Sequence, residues 1–555
     1  MWQQDYTPVA HSLGMSALVA AIPILILLIL LGVLRKPAWL ASLAGLGTAM
    51  LVAGAVYGMP VNNIFASVTY GAAFGLFPIG WVVFCAILLY RVSLEKGQFE
   101  VLKSSIGHLT DDSRLQALLI AFAFGAFIEG AAGFGTPVAV AAAMLTGLGF
   151  SPFYAAGVCL LANTAPVAFG SIGLPIMTLS VTTGLPLDRL SAGVGRICAP
   201  VSLIVPAYLV VVMAGWRGLR AVLPAAALCG VAFAGTQFCI SNFVSPQLTD
   251  ILASMAAMGA LIGLFFVWKP KDHFELREHR VAAGLGQSAG NGGTSSVASR
   301  PRHSGGQIAL AWAPYAFLVL FVLLWGIKPL QAELNRVSLS LQWPGLHNTI
   351  LRMPPVVPQP ARYPAVFAFS WLSASGTACL FAAILGALVL GLTPKRFAQV
   401  FWDTVKQLAL AELTLAAVLG LAFLMNYSGA TATLGLAFAA TGVLFPFFSP
   451  LLGWLGVFLT GSDTSSNALF GTLQVVTAHK LGMHQVLMAS ANSSGGVMGK
   501  MISLTSIAVA VCATEMKPEE EGKLFRFTLK HSVLLASIIG IIVLFYSYVA
   551  PSLAP

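Results

Sequence analysis

Residues 13–34 read LGMSALVAAIPILILLILLGVL, without a single charged side chain. About 20 mainly apolar residues suffice for a helix to cross the hydrocarbon core of a bilayer, so the run reads as a spanning helix. No Lys or Arg precedes it, Asp5 sits in the tail, and it is too long for the core of a cleavable signal; it is expected to remain as the first span. Runs like it recur along the 555 residues, of which 58% are apolar and 9% charged. A soluble domain carries ~25% charged residues, so most of this surface faces something other than water. The strands of a porin-type barrel would alternate polar and apolar positions in segments of ~10 residues, and this chain does not alternate. The fold expected is an all-α polytopic membrane protein.

Spans are expected near 13–34, 38–58, 64–93 (interrupted at Phe77-Pro78), 115–128, 151–164, 193–214, 221–240 and 247–268, then near 308–327, 365–392, 405–425, 431–447 and 528–550. With the pieces between them, this makes roughly 12–14 transmembrane helices plus broken or re-entrant segments. Residues 269–307, which contain GLGQSAGNGGTSSVASRPRHSGG, hold too little apolar surface for a core and read as a flexible cytoplasmic linker. The linker divides the chain into an N-terminal half, 1–268, and a C-terminal half, 308–555, with a Pro-rich external loop at 328–364. The net charge of +10 does not point to nucleic acid, because the basic residues sit at the ends of apolar runs: Arg35-Lys36, Arg91 with Lys96 and Lys103, Arg217 with Arg220, Lys269 with Lys271, and Lys395-Arg396. That pattern marks cytoplasmic loops and puts the N-terminus outside. The seven cysteines are scattered in apolar segments without a CxxC, which suits packing better than metal or disulfide chemistry.

Four segments are apolar yet studded with Gly, Ser, Thr and Asn: 129–148, 165–183, 449–478 and 484–513. They resemble one another across the linker. FIEG (127–130) matches FLTG (458–461), and LANTAPVAFG (161–170) matches SANSSGGVMG (490–499), at nearly equal separations. Two repeat-related halves with a site at their interface are typical of secondary transporters. The pattern leaves open whether the repeats are inverted or parallel.

The candidate site residues fall in these segments. Glu129 is the one acid in FIEGAAGFGTPVAV; a charge at mid-bilayer costs ~2.5–3.5 kcal/mol on insertion scales, and a carboxyl escapes that cost by taking up a proton. An acid that alternates between neutral and ionised forms is what proton coupling requires, whereas a structural cap, a buried ion pair or an interfacial position are the bland readings. Asp463 follows the same logic within TGSDTSSN, where Ser465, Ser466 and Asn467 supply hydroxyl and amide groups. No lipid-facing helix tolerates that polar run, so it either lines a cavity or forms an external loop. Lys500 in GGVMGKMIS and Arg196 in GVGRICAP are the cations available to an anionic solute, though Arg196 equally suits an interface anchor. Helix N-termini at the breaks offer N–H groups to the same end. Asn163 and Asn492 occupy equivalent places in the two motifs and suit substrate contact or an interhelical hydrogen bond. Gly133, Gly135 and Thr136 allow close approach of a small solute. GGVMGKMIS fails as a phosphate loop, since Ser494 stands where Gly is needed and Met501 where Ser or Thr is. No nucleophile–base arrangement, metal site or cofactor motif is present, so no enzyme, metal or cofactor is expected.

FIEGAAGFGTPVAV, LLANTAPVAFGSIGLPI, WRGLR, RMPPVV, FFSPLLGWLGVFLTGSDTSSNALFGTLQ and GGVMGKMIS closely resemble the bacterial L-lactate permease family, which includes glycolate permeases; the likeness runs from WQQDYTPV to LFRFTLKHS and is weakest in 272–306. The resemblance implies a multi-pass symporter of the bacterial cytoplasmic (inner) membrane that brings L-lactate in with a proton, and D-lactate and glycolate in related members. A 2-hydroxy acid carries one carboxylate, suited to Lys500 or a helix N-terminus, and one hydroxyl, suited to Ser465, Ser466, Asn467 or Asn163. A sodium-coupled carrier of di- or tricarboxylates and a proton-pumping respiratory subunit are the competing readings. The partners expected are the bilayer, the solute and the proton, with no nucleic acid; oligomeric state is open.

Overall fold

The computed structural model describes residues 1–554 except Arg35, His108, Phe134, His273, 275–303, Pro518 and Glu519. Most of the expected linker therefore lies outside the described residues. Its end does not: Ser304 caps the helix Gly305–Gly326 through a capping box with Gln307.

The fold is all-α and polytopic. Among the described residues, eleven helices are long and apolar enough to cross a membrane, twelve if one bent pair is counted. One of them, Leu187–Phe243, has 57 residues. At 1.5 Å per residue that is far more than one bilayer thickness. It turns back at Gly215 (φ 66°, ψ −175°), beside the WRGLR run, and so makes two passes.

The chain ends locate the two faces. Trp2–Gln3 pairs in parallel with Ile350–Leu351, and Gln4 donates to the Asn426 and Tyr427 carbonyls that end the helix Pro394–Ser428. These last carbonyls have no partner inside their own helix, so the N-terminal tail satisfies them. The opposite, linker-side face carries the bidentate Glu95–Arg396 pair (2.6 and 3.0 Å) and the buried Arg114, held by Asp112 (2.7 Å) and Asp272 (3.2 Å). The concentration of basic residues there makes it the cytoplasmic face.

Two expectations change. The 328–364 stretch is not plain loop: it holds the helix Lys328–Asn335 and the strand Leu339–Gln342, which pairs antiparallel with Val366–Phe369. The expected span at 365–392 therefore shortens to the helix Ser375–Val389. Val366, Phe367 and Phe369 favour an extended strand and find a partner, and pairing wins over helix propensity.

Candidate functional site

The four polar segments become four interruptions. In the first half, Ser113–Ala131 runs in from the linker side and stops at a turn containing Gly133 (φ 63°) and Gly135 (φ 81°). Pro137 then restarts the chain as Thr136–Gly147, which returns toward the same face. Only glycine takes such dihedrals without strain, so Gly133 and Gly135 make the tip of a re-entrant hairpin. Pro152–Ala162 follows, breaks at 163–169, and resumes as Gly170–Thr183 with a 64° bend. Three consecutive left-handed residues, Ser171, Ile172 and Gly173, precede the right-handed helix that starts at Leu174.

In the second half Phe445–Thr460 ends at Gly461 (φ 73°), and Asp463–Lys480 begins with Ser462 as N-cap, its side chain accepting from the Ser465 N–H (3.2 Å). Lys480 shares a surface cleft with Gln4–Thr7, so this hairpin has its feet on the N-terminal face. Gln485–Lys500 then runs inward, and Leu504–Ala513, capped by Ser503, continues toward the linker side. One hairpin thus enters from each face. The order hairpin, then broken helix, recurs in the second part of the chain with the opposite direction of entry.

All four interruptions meet at a cavity of about 270 Å³, with Glu129, Gly135, Ser171, Asp463, Ser465 and Lys500 in its wall. That volume lies just below the usual range for drug-sized ligands, so the cavity suits a small solute. It extends to Ala38, the first residue of a helix that starts on the linker side, and so opens toward the cytoplasm. The first residues of four helices line it: Gly135 before Thr136, Leu174, Asp463 with Ser465, and Thr505 with Ser506. Each N-terminus carries roughly half a positive charge. Four of them together with Lys500 give about +3, a positive field suited to a small anion.

The acids are seated in equivalent ways. A Cβ on Gly170 would come within 2.6 Å of Glu129 Oε1, and one on Gly496 would collide with Asp463 Oδ1. Each broken helix therefore gives up a side chain to admit the carboxyl on its neighbouring hairpin. Asp463 Oδ2 accepts from Ser493 Oγ (2.6 Å) and Asn467 Nδ2 (3.4 Å), while its Oδ1 and Glu129 Oε2 are buried without a partner. Lys500 Nζ donates to the Gly461 carbonyl (2.7 Å) and acts electrostatically on both acids.

The other residues singled out from sequence stand apart from the cavity wall. Asn467 donates to the Pro175 carbonyl (3.1 Å) and Ser493 Oγ, and accepts from Asn492 (2.9 Å), which in turn accepts from Gln474. Ser466 donates to Gly453 O (3.0 Å). The Asn467–Asn492 and Asn467–Ser493 bonds fasten the second hairpin to its broken helix, and Ser466 ties the hairpin's two arms together. Gly133 packs against Ser171 Oγ, and Thr136 starts its helix behind the tip. Asn163 is buried beside the Glu129 carboxyl. Arg196 is elsewhere: it donates to Asn242 Oδ1 (2.8 Å) and the Leu553 carbonyl (2.9 Å), anchoring the C-terminus. Two acids with unpartnered carboxyl oxygens escaped the sequence reading. Asp250 looks like an ordinary first-turn acid of Thr249–Val267, and Glu412 sits in a long amphipathic helix, where its carboxyl lies in the space left by Gly80.

A family model described as L-lactate permease matches residues 16–550. The glycolate permease GlcA of Escherichia coli is 46% identical over 99% of this chain and 98% of its own. The L-lactate permease of Bacillus subtilis is 44% identical over the full length of both chains. Among solved structures, MtrF of Neisseria gonorrhoeae aligns with 14% identity over 87% of this chain and 83% of its own, at a TM-score of 0.43, too distant to carry an argument.

Proposed function

This chain belongs to the L-lactate permease family, and from that premise we propose that it imports L-lactate, and with it D-lactate and glycolate, together with a proton across the bacterial cytoplasmic membrane. The observation that carries the reading is the convergence of four helix N-termini, Lys500 and two buried acids on one small cavity between two inverted hairpins. In this reading Lys500 and the N–H groups at 463–464 hold the carboxylate, while Ser465 Oγ, Ser171 Oγ or Thr505 Oγ1 meets the 2-hydroxyl. Glu129 carries the coupled proton, and Asp463, hydrogen-bonded on one oxygen, fixes the charge of the opposite wall. Co-transport of one proton with one monoanion is electroneutral; uncompensated anion entry would work against ~2.3 kcal/mol per 100 mV. We also propose that the chain divides at 269–307 into two repeat-related halves.

The test is uptake of labelled lactate into proteoliposomes under an inward proton gradient. Accumulation should collapse with a proton ionophore and be indifferent to replacing Na⁺ by K⁺; accumulation that survives the ionophore would overturn proton coupling. Unlabelled D-lactate and glycolate should compete and succinate should not.

A further inference from the structure

Asp250 is fully buried at the start of Thr249–Val267, and neither carboxyl oxygen has a hydrogen-bond partner. It packs against the helix of Glu129 at the neighbouring position: a Cβ on Gly130 would lie 2.8 Å from the Asp250 Cβ. Three residues earlier, Gln247 and Pro246 line a second cavity of about 710 Å³ that also includes Asn242, Trp325 and Gln331 and opens on the N-terminal face. The seal between the two cavities is thin here. Ser171 faces the inner one, and two residues on Gly173 packs on the Pro246 carbonyl and the Gln247 N–H. The left-handed Ile172 between them (φ 60°) is an uncommon conformation for a β-branched residue and marks this turn as a place where the backbone is held against its preference.

We propose that Asp250 is a second proton-carrying residue of the transport cycle, passing a proton between the outer cavity and Glu129. This rests on the proton-symport reading above. Lys500 acts on Glu129 and Asp463, whereas the charged neighbour of Asp250 is Glu129 itself, with the Cys198 thiol also within range. Two adjacent buried carboxyls do not both ionise, so the pair holds at least one proton. When Glu129 is ionised, a rotamer change brings the two groups together. The O–H bond at Asp250 breaks and one forms at Glu129, and the negative charge moves to Asp250. A hydronium ion in the outer cavity then gives its proton to Asp250 and is left as water. The structural alternative is a first-turn acid that only favours its helix dipole.

Asp250→Asn keeps the size and hydrogen-bonding capacity of a first-turn residue but cannot carry a proton. In full-length protein reconstituted in proteoliposomes, it should slow proton-driven lactate uptake and lactate-induced internal acidification on the order of a hundredfold, the usual size of a lost proton-transfer group. Lactate–lactate exchange at equal pH should persist. Glu129→Gln is run beside it. If Glu129→Gln still accumulates lactate, Glu129 leaves the mechanism and the relay to it fails; the symport reading itself fails only if wild-type accumulation survives a proton ionophore. If Glu129→Gln loses accumulation while Asp250→Asn behaves as wild type across the pH profile, this proposal alone is overturned. Should Asp250→Asn fail to fold, infrared spectra of wild type and Asp250→Glu decide: a protonated-carboxyl band that shifts between them supports the proposal, and its absence refutes it.

Discussion

At the scale of single residues, the site depends on what is missing as much as on what is present. Gly170 and Gly496 hold no side chain because a carboxyl occupies the space. Gly170→Ala or Gly496→Ala should therefore displace Glu129 or Asp463; overpacking of this kind costs ~1–3 kcal/mol, and transport should fall while the protein still folds. Gly147→Ala, whose added methyl meets nothing within 4 Å, is the matched control and should transport normally. Lys500→Ala should weaken lactate binding ~10- to 100-fold in a direct binding measurement, as expected for a lost hydrogen bond to a charged group. Unchanged binding would assign the carboxylate to the helix N-termini alone. Glu129, Asp463 and Lys500 were legible in the sequence because a charge inside an apolar run has few innocent explanations. Asp250 was not, since an acid in a helix's first turn is commonplace, and only the packing of Gly130 on it reveals its position. Asn467 and Asn492 could not be placed from sequence, because a buried amide looks the same whether it meets a solute or another amide.

At the scale of elements, the interruptions were visible as glycine clusters followed by proline or serine, at GFGTP and TGSDTSS. Their direction was not visible, because short matches fix where a helix breaks and not the face from which it enters. The hairpins also need firm feet. The first begins beside Arg114, which is fully buried and held by Asp112 and Asp272, with its guanidinium over the Phe274 ring. Breaking a buried pair by removing one partner costs ~3–5 kcal/mol, so Arg114→Ala should lower the melting temperature of the detergent-solubilised protein markedly. Exposed pairs such as Arg336–Glu333 contribute at most ~1 kcal/mol, and Arg336→Ala should leave the melting temperature nearly unchanged. The Arg114 guanidinium also holds the Asp272 carboxyl below its ordinary value. A lowered carboxyl pKa contributes stability that is complete above ~3.9 and is lost only as pH falls below that value. The clamp should therefore be unaffected between neutral pH and mild acid.

At the scale of the whole molecule, the two hairpins enter from opposite faces and their tips meet at a single central cavity. The described arrangement opens inward, past Ala38, while the outer cavity stops at Pro246 and Gln247. The architecture yields a direct prediction about sidedness. Gly147 ends the descending arm of the first hairpin, is exposed, and has open space around a Cβ; Lys480 ends the second hairpin beside the N-terminal tail and is exposed as well. In a background where the exposed Cys239 and Cys512 are replaced by Ser, Gly147→Cys should react with a membrane-impermeant thiol reagent only from the cytoplasmic side, and Lys480→Cys only from the outside. Parallel repeats would put both labels on the same side, and so would a fault in the charge-based orientation of only one half. Labelling of intact cells against inside-out vesicles reads the result independently of transport activity. If both positions react from one side, the inverted frame is wrong, and the shared cavity that brings Glu129, Asp463 and Lys500 together goes with it.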